Sequence, residues 1–178
     1  MTPFNAARIN KFSIPFFLQA ALGILGRPRK FFSEMPLTTG MLPSLVFLVI
    51  CALFFCAASL TNIRMQEFYI TGGIYLFNAV GMVFIMAALG YLVMALTIGR
   101  KVPFARLFSI YALSAGVVML VSWVPYLNVF TEPWKWYLIG AGLIKGCGVK
   151  LKEALLIILL SLTIWILFYW SLMQFIRH

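Results

Sequence analysis

The chain has 178 residues, of which 63% are hydrophobic and only 10% are charged. Soluble domains carry about a quarter charged residues, so this composition excludes a soluble protein and indicates an integral membrane protein. The formal net charge is +10, but the basic residues form short clusters between apolar runs with no recognition motif beside them, which argues against nucleic acid as a partner.

Residues 1–40 precede the first long apolar run and form a predicted cytoplasmic, interfacial segment, followed by a membrane domain over residues 41–178. The run FSIPFFLQAALGIL at residues 12–25 is too short to span a bilayer comfortably. Pro15 and Gln19 interrupt it, and basic residues follow it directly, so it does not match a signal peptide. It predicts an amphipathic helix on the inner membrane surface. Its predicted lipid-facing residues are Phe12, Phe16, Phe17, Leu18 and Leu22.

Four apolar runs are long enough to cross a hydrocarbon core of about 30 Å as helices. They lie at residues 42–61, 69–98, 105–124 and 153–175. A further run, WKWYLIGAGLI at residues 134–144, is only 11 residues long and carries Lys135. Length alone does not decide whether this stretch, together with Lys145 to Cys147, crosses the membrane.

The distribution of basic residues favours a crossing at residues 134–147. With that crossing, eleven Lys and Arg residues lie on one side of the membrane and three on the other; without it, the division is nine against five. The first arrangement agrees better with the positive-inside rule. The sequence therefore predicts an all-α polytopic bundle of five transmembrane helices, with the N-terminus in the cytoplasm and the C-terminus outside.

Three glycines, Gly140, Gly142 and Gly146, provide a packing face for the short fourth span. Gly142 and Gly146 form a G-x-x-x-G pair, which allows two helix backbones to approach closely. A short span of this kind is tolerable when its neighbours shield it from lipid. We therefore expect these glycines to face another helix.

Candidate groups for catalysis are scarce. The chain has no Asp, its four acidic residues fall at span ends or in loops, and its single His is the last residue. No cluster has metal-ligand spacing, and the serines lack an activating His or Lys at helical spacing. The sequence predicts no catalytic, cofactor or metal site, and hence no enzyme.

The basic residues near the span ends are candidates for contact with anionic lipid or an acidic partner. They are Arg27, Arg29, Lys30, Arg100, Lys101, Arg106, Lys150 and Lys152. The alternative, that they only set the topology, stays open at this point.

Two stretches carry a resemblance to a known family. GRPRKFFSEMP before the first span, and VPFARLFSIYALSAGVVMLVSWVPYLNVF followed by WKWYLIGAGLIKGCGVKLKEALLIILL, resemble bacterial members of the Yip family of membrane proteins. The resemblance covers about residues 24–176, with Lys152 to Leu155 in the position of a KAL-like motif. It implies five spans and a cytoplasmic N-terminus, and it brings no catalytic residues.

Eukaryotic relatives in that family interact with Rab GTPases through a long cytoplasmic region. This chain has only about 40 residues there and lacks the acidic, aromatic D-L-Y-G-P-type motif, so Rab binding is not carried over. The leading hypothesis is a scaffold or membrane-organising protein of a bacterial inner membrane that binds other membrane proteins or a second copy. Membrane lipids are expected as further partners. The alternative is a lipid-handling or transporter subunit of a larger envelope complex. A polar groove lined by Tyr75, Asn78, Tyr111 and Ser114 would favour the alternative.

Overall fold

The computed structural model describes residues 14–36, 40–60, 68–99, 102–124 and 126–177. In this part of the chain the regular structure is helical, as predicted. The helices are α1 (Ile14–Gly26), α2 (Pro28–Glu34), α3 (Met41–Ser59), α4 (Phe68–Thr97), α5 (Phe104–Ser122), α6 (Asn128–Gly146) and α7 (Leu151–Arg177).

Four of these helices are long and apolar enough to cross a membrane. The stretches that qualify are Met41–Ser59, Tyr69–Thr97, Phe104–Ser122 and Leu151–Phe168, which confirms four long apolar helices at the predicted places. Helix α6 has 19 residues but is less apolar, because it carries Glu132, Lys135 and Lys145. Helix α1 is apolar but shorter, with 13 residues.

Proline and glycine set the ends of several helices. Pro28 lies in the first turn of α2, where the missing N–H would have no helical partner in any case. Gly99 and Gly148 follow α4 and α6 with φ values of +65°, a conformation that glycine adopts without strain. At Gly148 the turn brings the Val149 N–H to the carbonyl of Leu143 at 3.3 Å, which closes the C-terminal end of α6.

Helix α5 is the centre of the bundle. Its residues from Arg106 to Val118 are all buried, and α3, α4, α6 and α1 pack around it. Helix α4 runs antiparallel to it, since Phe84 lies 4.4 Å from Phe108 and Tyr91 lies 5.6 Å from Phe104 between ring centroids.

Helix α6 lies antiparallel to α5 over the full length of α5. Near the start of α5, Arg106 Nε donates to the carbonyl of Gly146 at 2.7 Å. At the other end, Ser122 Oγ donates to Thr131 Oγ1 at 3.1 Å. The two ends of the bundle are named here the Arg106 end and the Thr131 end. Helix α6 therefore extends along the whole of α5, a helix long enough to span a membrane.

The structure corrects the prediction for the N-terminal helix. Phe16 was expected in lipid, but it is only 6% exposed. It packs with Ala20 and Ile24 in a cluster that includes residues of α3, α5 and α6. The opposite face, with Leu18 and Leu22, is exposed. Helix α1 is apolar on both faces, so it packs on the bundle with one face and leaves the other for lipid. Phe12 lies outside the described residues.

Candidate ligand cavity within the helix bundle

A half-open cavity of about 890 Å³ lies between helices α3 to α7 in the half of the bundle near the Thr131 end. Pockets for small molecules commonly have volumes of about 300–1,000 Å³, so this one is large enough for a ligand. The residues that line it come from α3 (Phe55, Ala58, Ser59), α4 (Tyr75, Asn78, Ala79, Met82, Val83, Met86), α5 and the residue after it (Tyr111, Ala115, Val118, Met119, Ser122, Trp123), α6 (Glu132, Lys135, Trp136, Ile139) and α7 (Leu162, Trp165).

Tyr111 and Met86 line the cavity and are among its buried residues. Tyr111 is only 2% exposed, and its hydroxyl lies against Gly90 of α4. Any Cβ at position 90 would collide with that hydroxyl, so Gly90 makes room for the Tyr111 side chain. The Tyr111 Oη atom is buried and has no hydrogen-bond partner among the described residues, which is an unfavourable state for a hydroxyl.

The walls of the cavity are mostly apolar, and the polar side chain of Asn78 lies among them. Met82, Val83, Ile139 and Leu162 contribute aliphatic surface. Methionine is unbranched and polarizable and adapts to ligands of irregular shape. Asn78 adds an amide to the α4 wall, where an amide within a membrane span has few partners other than helices or a bound ligand.

The mouth of the cavity carries an ion pair. Lys135 Nζ donates to Glu132 Oε1 at 2.7 Å and to Oε2 at 2.6 Å. Trp123, Trp136 and Trp165 also line the cavity, and Lys135 Nζ is 5.3 Å from the ring centroid of Trp136. The mouth therefore combines one positive group, one negative group and aromatic faces, above an apolar interior.

Three of the four residues expected in a polar groove meet in this cavity: Tyr75, Asn78 and Tyr111. Ser114 does not line it; its side chain is fully buried in the core and its hydroxyl is unpaired among the described residues. Sequence reasoning also missed the mouth. The signal was an acid and a base three residues apart, next to Trp136, in a stretch that was considered only as a span.

The glycines of α6 face neighbouring helices. A Cβ built on Gly142 would overlap Cγ2 of Ile110 in α5, and one on Gly146 would lie 3.1 Å from Cδ1 of the same side chain. A Cβ on Gly140 would lie 3.6 Å from Ile158 in α7, an ordinary contact. At Gly142 and Gly146 the absence of a Cβ therefore makes room for Ile110 of α5.

Arg106 corrects the prediction of a basic surface residue. Its side chain is buried, with 5% exposed area. Besides the Gly146 carbonyl, its guanidinium donates to the carbonyls of Pro36 at 2.9 Å and Met35 at 3.4 Å. The Gly146 carbonyl lies in the last turn of α6, where the helix dipole is negative, and Met35 and Pro36 follow α2. Arg106 joins three chain segments instead of meeting lipid.

The other basic candidates have different surroundings. Those in the described part of the chain are exposed, and Arg100 and Lys101 lie outside it. The guanidinium of Arg29 is 6.0 Å from the ring centroid of Tyr137 in α6, and Lys30 lies 3.7 Å from Glu34. The exposed set is Arg27, Arg29, Lys30, Lys150 and Lys152.

Within the described residues, no group of three His, Cys, Asp or Glu side chains could hold a metal ion. The family model described as the Yip1 domain matches residues 22–173, nearly the whole chain and the whole cavity. This match confirms the resemblance found in the sequence. No curated protein and no solved structure matches the chain.

Proposed function

Because the chain belongs to the family of Yip1 domain proteins, we propose that it is a non-enzymatic multi-pass membrane protein whose bundle holds a membrane lipid. The observation that carries this proposal is the cavity of about 890 Å³ between the spanning helices. A bundle that served only as a packed scaffold would fill that space with side chains, since helical interiors pack to high density. The apolar walls and the polar mouth match the two ends of a lipid.

Filling the cavity should remove the lipid. Ala79 of α4 lines the cavity, and phenylalanine at this position would place a ring in it. We expect Ala79→Phe to lower the lipid retained per protein by roughly tenfold, because overpacking an occupied site costs about 1–3 kcal/mol and 1.4 kcal/mol is a factor of ten. The measurement is mass spectrometry of lipid extracted from the full-length protein after purification in mild detergent.

The matched control is Ala88→Phe on the same helix, since Ala88 is exposed and does not line the cavity. It should retain as much lipid as the unmodified protein. Equal lipid in the Ala79→Phe and Ala88→Phe variants would contradict the proposal. Co-purification of another membrane protein or a stable dimer, without lipid, would instead support a scaffold.

A second candidate, the scaffold, is supported by the outer face of α4. A Cβ added to Gly73 or Gly81 would meet no heavy atom of another helix within 4 Å. Both glycines lie in a shallow groove along α4 with Tyr69, Ile74 and Phe77. Small residues on a membrane helix permit close approach of another helix, so a second copy or another membrane protein could pack there.

Five membrane crossings, with a cytoplasmic N-terminus in a bacterial inner membrane, belong to the same proposal. The support is the charge distribution and the antiparallel contact of α6 with α5 over the length of a spanning helix. On this topology the exposed basic residues face the cytoplasm, where anionic lipid or an acidic partner would contact them. Those residues are Arg27, Arg29, Lys30, Lys150 and Lys152.

Cysteine labelling tests the topology. In a variant whose native cysteines are alanine, Val129→Cys should react with a membrane-impermeant maleimide from outside, whereas Lys150→Cys should react only after permeabilisation. Val129 is 73% exposed and Lys150 is exposed; Thr131 is unsuitable because it is buried against Ser122. Labelling of both positions from the same side in intact cells would show that α6 does not cross.

A further inference from the structure

We propose that the mouth of the cavity selects a zwitterionic phospholipid, with its ammonium group against Glu132 and its phosphate against Lys135. This inference rests on the proposed lipid binding and names the class of lipid. A headgroup of this kind presents one positive and one negative group, and the mouth presents one of each sign on adjacent turns of α6. The acyl chain then extends past Met82 and Ile139 towards Tyr111.

The ion pair is available for exchange with a ligand. The Glu132 side chain is 57% exposed and that of Lys135 is 24% exposed, and pairs with this accessibility add little to folding stability. Two opposed pairs of charges, one from the protein and one from the headgroup, satisfy each other without leaving a net charge in the site. An anionic headgroup without an amine would instead share Lys135 with Glu132, and the site would be left with one net negative charge.

The tryptophans support an ammonium group at the same place. Trp123, Trp136 and Trp165 line the same cavity as Glu132. Indole faces attract cations, and protein sites for choline-type groups use aromatic side chains in this way. Trp123 is held by its Nε1–H, which donates to the carbonyl of Leu120 at 3.1 Å. Indole rings also favour the boundary between lipid tails and water, where a headgroup lies.

Lipids with equal chains and different headgroups provide the test. The full-length protein in detergent is titrated with dioleoyl phosphatidylethanolamine, phosphatidylcholine or phosphatidylglycerol, and bound lipid is counted by native mass spectrometry. We expect both zwitterionic lipids to bind more tightly than phosphatidylglycerol. Glu132→Gln should weaken the binding of phosphatidylethanolamine about tenfold, the effect of losing one charge-assisted hydrogen bond, and should not weaken the binding of phosphatidylglycerol. Lys135→Gln should weaken the binding of all three lipids.

The control variant is Glu34→Gln, which removes the other described Lys–Glu pair, Lys30–Glu34, away from the cavity. It should leave all three affinities unchanged. Equal binding of the three lipids, or equal effects of Glu132→Gln and Glu34→Gln, would overturn the headgroup proposal. If Ala79→Phe still lowered the binding of all three lipids, the cavity would remain the lipid site and only the selection at its mouth would be refuted.

Discussion

Replacing Arg106 with methionine is expected to destabilise the protein by about 3 kcal/mol or more, because several buried hydrogen bonds to a charged donor are lost. Three carbonyls lose their donor in this variant: those of Gly146, Pro36 and Met35. Hydrogen bonds to a charged group contribute about 1.5–3 kcal/mol each, and part of that loss is offset because a cation no longer has to be buried. The measurement is thermal unfolding in detergent.

The Arg106 variant should also loosen one part of the chain more than the rest. The Arg106 side chain connects Met35 and Pro36 to the start of α5 through hydrogen bonds to their carbonyls. Hydrogen exchange over residues 27–36 should therefore increase more than exchange in α4. Arg106→Lys should be intermediate, since one ammonium group does not reproduce the fork of a guanidinium.

Arg27→Met is the matched control, because Arg27 is exposed and its replacement removes the same charge. Exposed substitutions of this kind usually change stability by less than about 0.5 kcal/mol. If Arg106→Met and Arg27→Met unfolded at the same temperature, the three carbonyl contacts would have no measurable part in holding α2 to the bundle.

The long spans could be read from the sequence because length and apolar character are local properties. Helices α3, α4, α5 and α7 each satisfy both within one uninterrupted run. Helix α6 does not, since Lys135 and Glu132 lie inside it; its extent became visible only through its contacts with α5. The five-span prediction needed the charge balance of all the loops together.

Burial of Arg106 and Phe16 could not be read from the sequence in the same way. Arg106 donates hydrogen bonds to carbonyls 40, 70 and 71 residues away in the chain. Every residue has a backbone carbonyl, so the sequence does not show which ones will accept these bonds. Phe16 belongs to an apolar helix in which neither face is polar, so hydrophobicity does not distinguish the packed side from the lipid side. Both outcomes depend on which helices meet.

Only part of the cavity lining could be predicted from the sequence. Tyr75, Asn78 and Tyr111 are polar residues within spans, and they line the cavity as predicted. Ser114 was grouped with them, but it follows Tyr111 by three residues and lies in the core. Two residues one turn apart on the same helix can therefore lie in different places, one in the cavity wall and one in a packed interface. The positions of the neighbouring helices decide which residue lies where.

Replacing Gly142 should disrupt the contact between α5 and α6, beginning with the smallest possible side chain. A Cβ on Gly142 would overlap Cγ2 of Ile110, and Ile110 is fully buried, so neither helix can move aside freely. We expect Gly142→Ala to destabilise the protein by about 1–3 kcal/mol, the usual cost of overpacking, and Gly142→Leu to cost more. Unfolding in detergent with increasing denaturant measures both.

Whether alanine raises or lowers the free energy of unfolding distinguishes an effect of packing from an effect of helix propensity. In a helix that has space, Gly→Ala stabilises by about 0.5–1 kcal/mol, and Gly73→Ala on α4 should show this gain, because nothing lies within 4 Å of a Cβ there. Gly142→Ala should have the opposite sign. Ile110→Val retains the overlapping Cγ2 atom, so adding it should not restore the stability of the Gly142→Ala variant. Ile110→Ala removes that atom, so the double variant should lose less stability than the sum of the losses in the two single variants. A stabilising Gly142→Ala would mean that α5 and α6 do not meet at this glycine, and the close contact that shields α6 from lipid would be lost with it.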